Sequence, residues 1–262
     1  MNISFIGFGN MAKAIAQGLV SNKENQLRAA APSLPIGTNA QGIYTHHDNL
    51  AVIADADVII LATKPAQTEA AFSQIRESIP SNCLIISIAA GLNLSWFAER
   101  GGSQIALVRA MPNITAAVGK GATPLMASEC VSAQQKERAD QIFSQLGLTH
   151  WVKQESEIDA FTALSGSGPA YLFLFMEAMI KAGVALGLSE DIAKSFTLQT
   201  CHGAIHLAAK SSSLTELRQK VTSPAGTTAA ATEVFNARGL DETVLAAMKA
   251  ARDRAHQLQL SN

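Results

Sequence analysis

The segment Gly7-Phe8-Gly9-Asn10-Met11-Ala12 constrains the fold of this chain more than any other. It follows an apolar run at residues 3–6 and opens a stretch with helical spacing at residues 11–21. A Gly-x-Gly-x-x-Ala sequence between a strand and a helix is typical of a dinucleotide-binding turn. The first glycine permits the tight turn, the second lets a pyrophosphate approach the main chain, and the helix N-terminus offers free N–H groups to phosphates. We therefore predict dinucleotide binding at this turn.

Continuous apolar runs recur through the first half of the chain, at residues 58–62, 84–89 and 105–111, with a weaker alanine-rich run at residues 26–31. Such runs are typical of strands that are covered on both faces, as in a parallel sheet with crossover helices. The pattern predicts an α/β Rossmann-type N-terminal domain with a parallel sheet over residues 1–154.

From Glu155 onward almost every segment has helical spacing, which predicts an all-α C-terminal domain over residues 155–262. Predicted helices cover residues 169–187, 192–210 (with Ser189 as N-cap), 214–221, 224–237 and 240–258. The first is apolar nearly all round, as a central helix of a monomer or a helix buried against another chain would be. Both interpretations stay open, and we favour a dimer.

The balanced net charge predicts no extended basic surface that could bind a polyanion. Lys and Arg total 20 against 21 for Asp and Glu, which argues against nucleic acid or an anionic membrane as a partner. The apolar stretch at residues 170–188 contains Glu177 and Lys181, and we expect it to be too short and too charged to span a membrane. The start of the chain lacks the basic region of a signal peptide, and the three cysteines lie far apart. These features predict a cytoplasmic protein.

The residues after the second predicted strand favour NADPH over NADH. A carboxylate there would hold the ribose hydroxyls and repel a 2′-phosphate, but residues 29–34 contain no acid. Ser33 could donate to a phosphate oxygen or be an ordinary turn serine. We therefore expect NADPH as the cofactor, with NADH possible.

No metal site is predicted. His46 and His47 are adjacent and point apart, while His202 and His206 have zinc-like spacing but lack a third ligand.

Six segments, spread over nearly the whole chain, resemble those of the pyrroline-5-carboxylate reductase family. In the first half they are residues 5–12, Leu61-Ala62-Thr63-Lys64-Pro65, Ser87-Ile88-Ala89-Ala90-Gly91 and Val108-Arg109-Ala110-Met111-Pro112-Asn113. In the second half they are Leu164-Ser165-Gly166-Ser167-Gly168-Pro169-Ala170-Tyr171 and Val221-Thr222-Ser223-Pro224-Ala225-Gly226-Thr227-Thr228. The last two are far more specific than a glycine-rich turn.

The resemblance implies a Rossmann domain followed by a dimerisation domain in which helices of two chains interlock. It implies an oxidoreductase that reduces 1-pyrroline-5-carboxylate to L-proline with NAD(P)H, the last step of proline biosynthesis. It also implies a homo-oligomer built from dimers, either a homodimer or a decamer.

The resemblance also implies the site residues. The expected cofactor-binding residues are Ile6, Gly7, Phe8, Gly9, Asn10, Met11, Ser33, Asn49, Ala62, Thr63, Lys64, Pro65, Ile88, Ala89, Ala90 and Asn113. Among them, Asn49 matches a family residue that contacts the 2′-phosphate. The expected substrate-binding residues are Val221, Ser223, Ala225, Gly226, Thr227 and Thr228. This loop would embrace the substrate carboxylate, and Thr228 is the expected catalytic residue because its hydroxyl would approach the substrate nitrogen.

The chain departs from the family pattern at a few positions. Ile114 follows Asn113 where Thr is usual, Ala225 replaces a glycine, and Gln219 stands where many members carry Asp. We expect these changes to alter loop geometry and affinity more than reaction type.

Two other functions stay open at this point. A hydroxyacid dehydrogenase would need a lysine on the inter-domain helix, and residues 159–180 contain none, which argues against that class. The departures at Ile114 and Ala225 leave room for an NADP-binding sensor without turnover, and Thr227 and Thr228 could merely cap a helix.

Overall fold

The computed structural model describes residues 1–102 and 104–260. The chain forms two compact units, one of residues 1–167 together with the segment from residue 250 onward, the other of residues 168–249. Residues 155–167 thus group with the first unit by their contacts. The domain boundary expected at residue 154 stays a prediction.

Nine strands of the described chain form one sheet in the first unit. They are β1 (Asn2–Ile6), β2 (Gln26–Ala30), β3 (Gly37–Thr38), β4 (Tyr44–His46), β5 (Val58–Leu61), β6 (Leu84–Ser87), β7 (Leu107–Ala110), β8 (Gly121–Ala127) and β9 (Gly147–Trp151). Their order is β3-β4-β2-β1-β5-β6-β7-β8-β9. Neighbours are parallel except β3 with β4 and β7 with β8, which are antiparallel. The predicted parallel, Rossmann-type sheet is confirmed, and the two antiparallel pairings were not predicted.

Helices cover both faces of this sheet. They are α1 (Asn10–Leu19), α2 (Leu50–Ile53), α3 (Pro65–Ile75), α4 (Leu94–Gly101), α5 (Ala133–Ser144) and α6 (Glu155–Phe161), with a π-helical segment at Thr162–Gly166. Phe5 packs in one buried cluster with residues of α1 and α5, while its neighbour Ile6 packs in a second cluster with residues of α3 and α4. Consecutive residues of a strand face opposite sides, so a sheet buried on both faces needs the continuous apolar runs seen in the sequence.

The strand order reverses at β1, whose neighbours are β2 on one side and β5 on the other. In open parallel sheets, a crevice forms at the carboxyl ends of the strands where the order reverses, and ligands bind there. The glycine-rich turn follows β1, so the fold brings it to this crevice.

The second unit is helical, as predicted. Its helices are α7 (Gly168–Ala185), α8 (Glu190–Ala208), α9 (Leu214–Lys220), α10 (Thr227–Ala237) and the first part of α11 (Leu240–Leu260). Ser189 occupies the predicted N-cap position of α8, although its side chain makes no cap hydrogen bond. The predicted helix start at Pro224 is wrong, because residues 223–226 form a turn in which the Gly226 N–H donates to the Ser223 carbonyl over 3.0 Å.

Large apolar side chains lie exposed along the helices of the second unit. Examples are Leu174 and Phe173 on α7 and Phe196 on α8, which are 67%, 53% and 64% exposed. The segment Glu155–Ala185 is long and apolar enough to cross a membrane by length and composition alone, a property that it shares with apolar helices that pack against other parts of a protein.

Candidate active site

A cavity of about 570 Å³ lies at the carboxyl ends of β1, β2 and β5. Nine of the residues expected to bind the cofactor line it: Ile6, Gly7, Phe8, Gly9, Ser33, Asn49, Ala62, Thr63 and Lys64. The remaining lining residues are Ala30, Ala31, Pro32, Ala66, Gln67, Ala70, Ala71 and Gln74. Its volume suits a small organic ligand rather than a single ion.

The glycine-rich turn forms one wall of this cavity. Gly7 has a φ of +86°, and a β-carbon there would lie 2.8 Å from the carbonyl oxygen of Ala62. A β-carbon on Gly9 would meet no atom within 4 Å, so the space beside it is open to a ligand. Gly9 is also the N-cap of α1 and provides no side-chain cap, so the first N–H groups of α1 stay available. An open approach to uncapped N–H groups is what a pyrophosphate requires, and these residues therefore fit a dinucleotide.

Neutral polar groups occupy the part of the cavity beyond β2. Ser33 lines it, and the Asn49 Nδ2 donates to Gln74 Oε1 over 2.7 Å. Lys64 is the one charged residue among the described lining residues. Because the lining carries no carboxylate, this corner can accept a phosphate without direct repulsion.

Helix α3 contributes lining residues that the sequence analysis missed. Ala66, Gln67, Ala70, Ala71 and Gln74 all face the cavity. The family segment used for the prediction ended at Pro65, whereas the helix that Pro65 starts continues along the cavity wall. Their spacing of three, four and seven residues was the available signal, since such positions share one face of a helix.

Seven residues expected to bind the cofactor do not line this cavity: Asn10, Met11, Pro65, Ile88, Ala89, Ala90 and Asn113. Asn113 is buried, and its side chain donates to the Ser165 carbonyl over 2.8 Å and accepts from Thr115 Oγ1 over 2.7 Å. These contacts join Asn113 to neighbouring loops, and its cofactor role stays a prediction.

Ala90 instead lines a second cavity of about 210 Å³ within the first unit. Its lining residues come from the ends of β6 and β7, the π-helical segment and the last turns of α11: Ala90, Gly91, Arg109, Met111, Thr162, Ser167, Ala251, Arg254, Ala255 and Leu258. A β-carbon on Gly91, whose φ is +77°, would lie 2.9 Å from Leu258 Cβ. The end of α11 therefore packs directly on the loop after β6.

Charged side chains form contacts among the elements around this second cavity. Arg109 pairs with Glu155, and another oxygen of the Glu155 carboxylate accepts the Leu94 N–H over 2.8 Å. Burial raises the pKa of Asp159 above its ordinary value, although the charges of Arg109 and His256 act in the opposite direction. His256 Nδ1 lies 3.6 Å from Asp159 Oδ2, which links the end of α11 to α6.

The expected substrate loop lies in the second unit, between α9 and α10. Ala225 has a φ of +57°, the left-handed conformation that glycine adopts most readily, and it stands where the family pattern has glycine. A β-carbon on Gly226 would lie 2.3 Å from Ser223 Oγ. Ala225 therefore takes the backbone conformation that a glycine would take there. Its β-carbon makes this conformation less favourable than it would be for glycine.

The loop ends at the N-terminus of α10. Gly226 is the N-cap and supplies no side-chain acceptor, so the N–H groups of Thr227, Thr228 and Ala229 have no partner within the helix. The Thr228 carbonyl accepts from Thr232 Oγ1 over 3.0 Å, which is a bond internal to α10. The arrangement can hold an anion beside a threonine hydroxyl. No group of three or more potential metal ligands occurs within residues 1–102 and 104–260.

Two family profiles match the chain. The family described as pyrroline-5-carboxylate reductase dimerisation matches residues 155–258, and the family described as NADP oxidoreductase, coenzyme F420-dependent, matches residues 2–91. Among curated relatives, the pyrroline-5-carboxylate reductase of Pseudomonas aeruginosa is 41% identical over 98% of this chain and 96% of its own length. That of Vibrio alginolyticus is 38% identical over 98% and 97%.

Solved structures agree with these matches. A pyrroline carboxylate reductase of Plasmodium falciparum with NADP bound superimposes with a TM-score of 0.91 at 31% identity, covering 99% of this chain and 98% of the other. A pyrroline-5-carboxylate reductase of Coxiella burnetii superimposes with a TM-score of 0.90 at 39% identity, covering 98% of each chain.

Proposed function

This chain belongs to the pyrroline-5-carboxylate reductase family, and from that premise we propose that it reduces 1-pyrroline-5-carboxylate to L-proline with NADPH. The observation that carries the cofactor part of the proposal is the uncapped N-terminus of α1 beside the open space at Gly9. The reaction is the last step of proline biosynthesis. A bound NAD(P)H supplies the hydride that reduces the imine.

NADPH is preferred over NADH in this proposal. Ser33 and Asn49 offer neutral donors to a 2′-phosphate, and no carboxylate lines the described cavity. The relative from Plasmodium falciparum has NADP bound, in keeping with this choice. The donors are uncharged, so we expect a modest preference and measurable activity with NADH.

We assign the carboxylate of the cyclic imine to the turn before α10. The N–H groups of Thr227 and Thr228 and the helix dipole favour an anion there. Thr228 then orients the ring nitrogen through its hydroxyl. Residues 221–228 contain no His and no carboxylate. The loop therefore does not donate a strong-acid proton, and the nitrogen takes its proton from water while the chain contributes position and orientation.

The exposed apolar side chains of the second unit support a dimer. So many exposed large apolar side chains are typical of a surface that a protein partner covers, and the matched family is named for dimerisation. Decamers built from such dimers remain part of the proposal. None of the three cysteines, all of which lie in the described residues, forms a disulfide, which fits a cytoplasmic enzyme.

A forward assay with purified protein tests the proposal. We expect oxidation of NADPH, followed at 340 nm, only when 1-pyrroline-5-carboxylate is added, with one L-proline formed per NADPH consumed. A matched reaction with a 2-oxo acid in place of the cyclic imine should show no oxidation of NADPH. If NADPH binds but no proline forms, the protein is an NADP-binding sensor and the proposed activity is wrong.

A further inference from the structure

The side chain of Gln74, at the end of α3, contacts two neighbouring residues at the edge of the larger cavity. Its Oε1 accepts from Asn49 Nδ2 over 2.7 Å, and its Nε2 lies 3.5 Å from Asp48 Oδ1. Gln74 also lines the cavity itself. No part of the reaction described above uses this residue.

The chemistry of Asp48 determines which way the Gln74 amide points. An ionised carboxylate only accepts hydrogen bonds, and the Leu50 N–H donates to Asp48 Oδ1 over 3.0 Å. The neighbouring Gln74 therefore turns its NH₂ group toward Asp48. Its oxygen is then left to face Asn49.

The orientation of Gln74 in turn determines that of Asn49. An acceptor at Gln74 Oε1 requires a donor from Asn49, so the Asn49 amide presents its nitrogen on that side. An amide nitrogen carries two hydrogens, and one of them is used by Gln74. The second hydrogen remains for a ligand, because Asn49 lines the cavity.

A 2′-phosphate needs this orientation, whereas a 2′-hydroxyl does not. Phosphate oxygens accept hydrogen bonds, so an Asn49 oxygen turned toward them would repel them. A ribose hydroxyl can donate or accept and would tolerate either orientation of the amide. The effect of Gln74 should therefore differ between NADP⁺ and NAD⁺.

We propose that Gln74 is a positioning residue for cofactor choice, because it holds the Asn49 amide as a hydrogen-bond donor toward the 2′-phosphate. This inference rests on the proposed placement of the 2′-phosphate beside Asn49. A purely structural role, in which Gln74 only ties α3 to the start of α2, would affect both cofactors equally.

The test compares Kd values for NADP⁺ and NAD⁺, measured by isothermal titration calorimetry of the full chain. Gln74→Met keeps the length of the side chain and removes both hydrogen bonds. We expect about a five-fold weaker Kd for NADP⁺, a modest loss because Gln74 is exposed to water, and a Kd for NAD⁺ within about two-fold of the original. Gln134→Met, the same change at an exposed position of α5, should alter neither value.

Two more variants separate the inference from the proposed cofactor placement. In Gln74→Glu, the carboxylate still accepts from Asn49 but adds a negative charge beside the proposed 2′-phosphate, so the binding of NADP⁺ should weaken by about ten-fold or more if the phosphate lies there. If Gln74 acts through Asn49, the double variant Asn49→Ala with Gln74→Met should bind NADP⁺ no more weakly than Asn49→Ala alone.

The opposite results would overturn either the role of Gln74 or the placement of the 2′-phosphate. Equal losses for both cofactors in Gln74→Met, or additive losses in the double variant, would overturn the role of Gln74. Equal losses for both cofactors in Asn49→Ala would instead overturn the placement of the 2′-phosphate and the inference with it. Thermal denaturation of every variant identifies any that fail to fold, and Gln74→Ala, which also removes both hydrogen bonds without adding charge, then serves in place of Gln74→Met.

Discussion

Arg109 and Glu155 form an ion pair whose guanidinium is almost fully buried, at 3% exposed, while the carboxylate is 27% exposed. Arg109 lies in β7, and Glu155 begins α6. The same carboxylate accepts the Leu94 N–H at the start of α4. One side chain thus joins three elements around the second cavity.

Removal of Glu155 should destabilise the first unit. Glu155→Ala leaves the buried guanidinium of Arg109 without its partner, and we expect a loss of about 3 kcal/mol in the free energy of unfolding, measured with urea. Asp55→Ala is the matched control, because its pair with Arg28 is more exposed and should contribute less than about 1 kcal/mol. Equal losses from the two variants would contradict the role given to burial.

Adjacent substitutions in the substrate loop should have opposite effects. Gly226→Ala places a β-carbon 2.3 Å from Ser223 Oγ and 3.1 Å from the Ser223 carbonyl oxygen, so the serine side chain must turn and the backbone must shift slightly, which should lower the melting temperature. Ala225→Gly relieves the left-handed conformation at φ +57°. The relief, about 1 kcal/mol, is partly offset by the greater freedom of glycine in the unfolded chain, so stability should stay equal or rise. Thermal denaturation of both variants checks the difference, and a lower melting temperature for Ala225→Gly would refute the assignment of strain.

Cofactor preference should respond to charge at Ser33. Ser33→Asp places a carboxylate beside the proposed 2′-phosphate and should shift the ratio of kcat/KM for NADPH to that for NADH by about ten-fold or more toward NADH. Ser33→Ala, which removes only a donor, should shift it by no more than about five-fold. An unaltered ratio in Ser33→Asp would show that the phosphate lies elsewhere.

The Thr228 hydroxyl should matter for turnover rather than for cofactor binding. Thr228→Ala removes the group that orients the substrate nitrogen, and we expect kcat to fall by about 10- to 100-fold. Thr228→Ser keeps the hydroxyl and should retain most of the activity. The Kd for NADPH, followed by its fluorescence, should be the same in both variants. Full turnover in Thr228→Ala would remove this residue from the mechanism.

Cys83 should be unreactive in the folded protein. Burial raises the pKa of its thiol to about 12, and the charge of Asp57 acts in the same direction. The thiolate is the reactive form, so iodoacetamide at pH 8 should modify the half-buried Cys130 and Cys201 first. Because the folded state holds this proton more tightly than the unfolded state, stability from Cys83 is present below pH 9 and is lost as the pH rises toward 12. Mass spectrometry that finds Cys83 labelled as fast as Cys130 in native protein would contradict the burial.

The strands that lie within continuous apolar runs could be predicted from the sequence, because a strand buried on both faces tolerates few polar residues. β1, β5, β6 and β7 are of this kind. β8 was missed because Pro124 interrupts its pattern, and proline is rare inside a strand. In the sheet, the Pro124 carbonyl still accepts the Met111 N–H over 3.1 Å, so the strand keeps one of its ladder bonds there. β9 was missed because its residues alternate between exposed and half-buried.

The candidate site could be predicted where one short segment determines the geometry, as at Gly7 and Gly9. It could not be predicted where contacts depend on the packing of distant elements. Gln74 meets Asn49 across 25 residues of sequence, and Gln259 donates to Asp159 across 100. The start of α10 was misplaced because Pro224 is equally suited to the first turn of a helix and to the second position of a tight turn.

The close approach of Gly7 to the main chain of Ala62 has a consequence for attempts to re-engineer the enzyme. A side chain at residue 7 would collide with carbonyl and amide atoms that every amino acid carries, so no second mutation at residue 62 could make room for it. Libraries that aim to change the cofactor should leave this position untouched and randomise Ser33, Asn49 and Gln74, which line the cavity. We expect substitutions at Ser33, Asn49 and Gln74 to be tolerated far more readily than any substitution at Gly7.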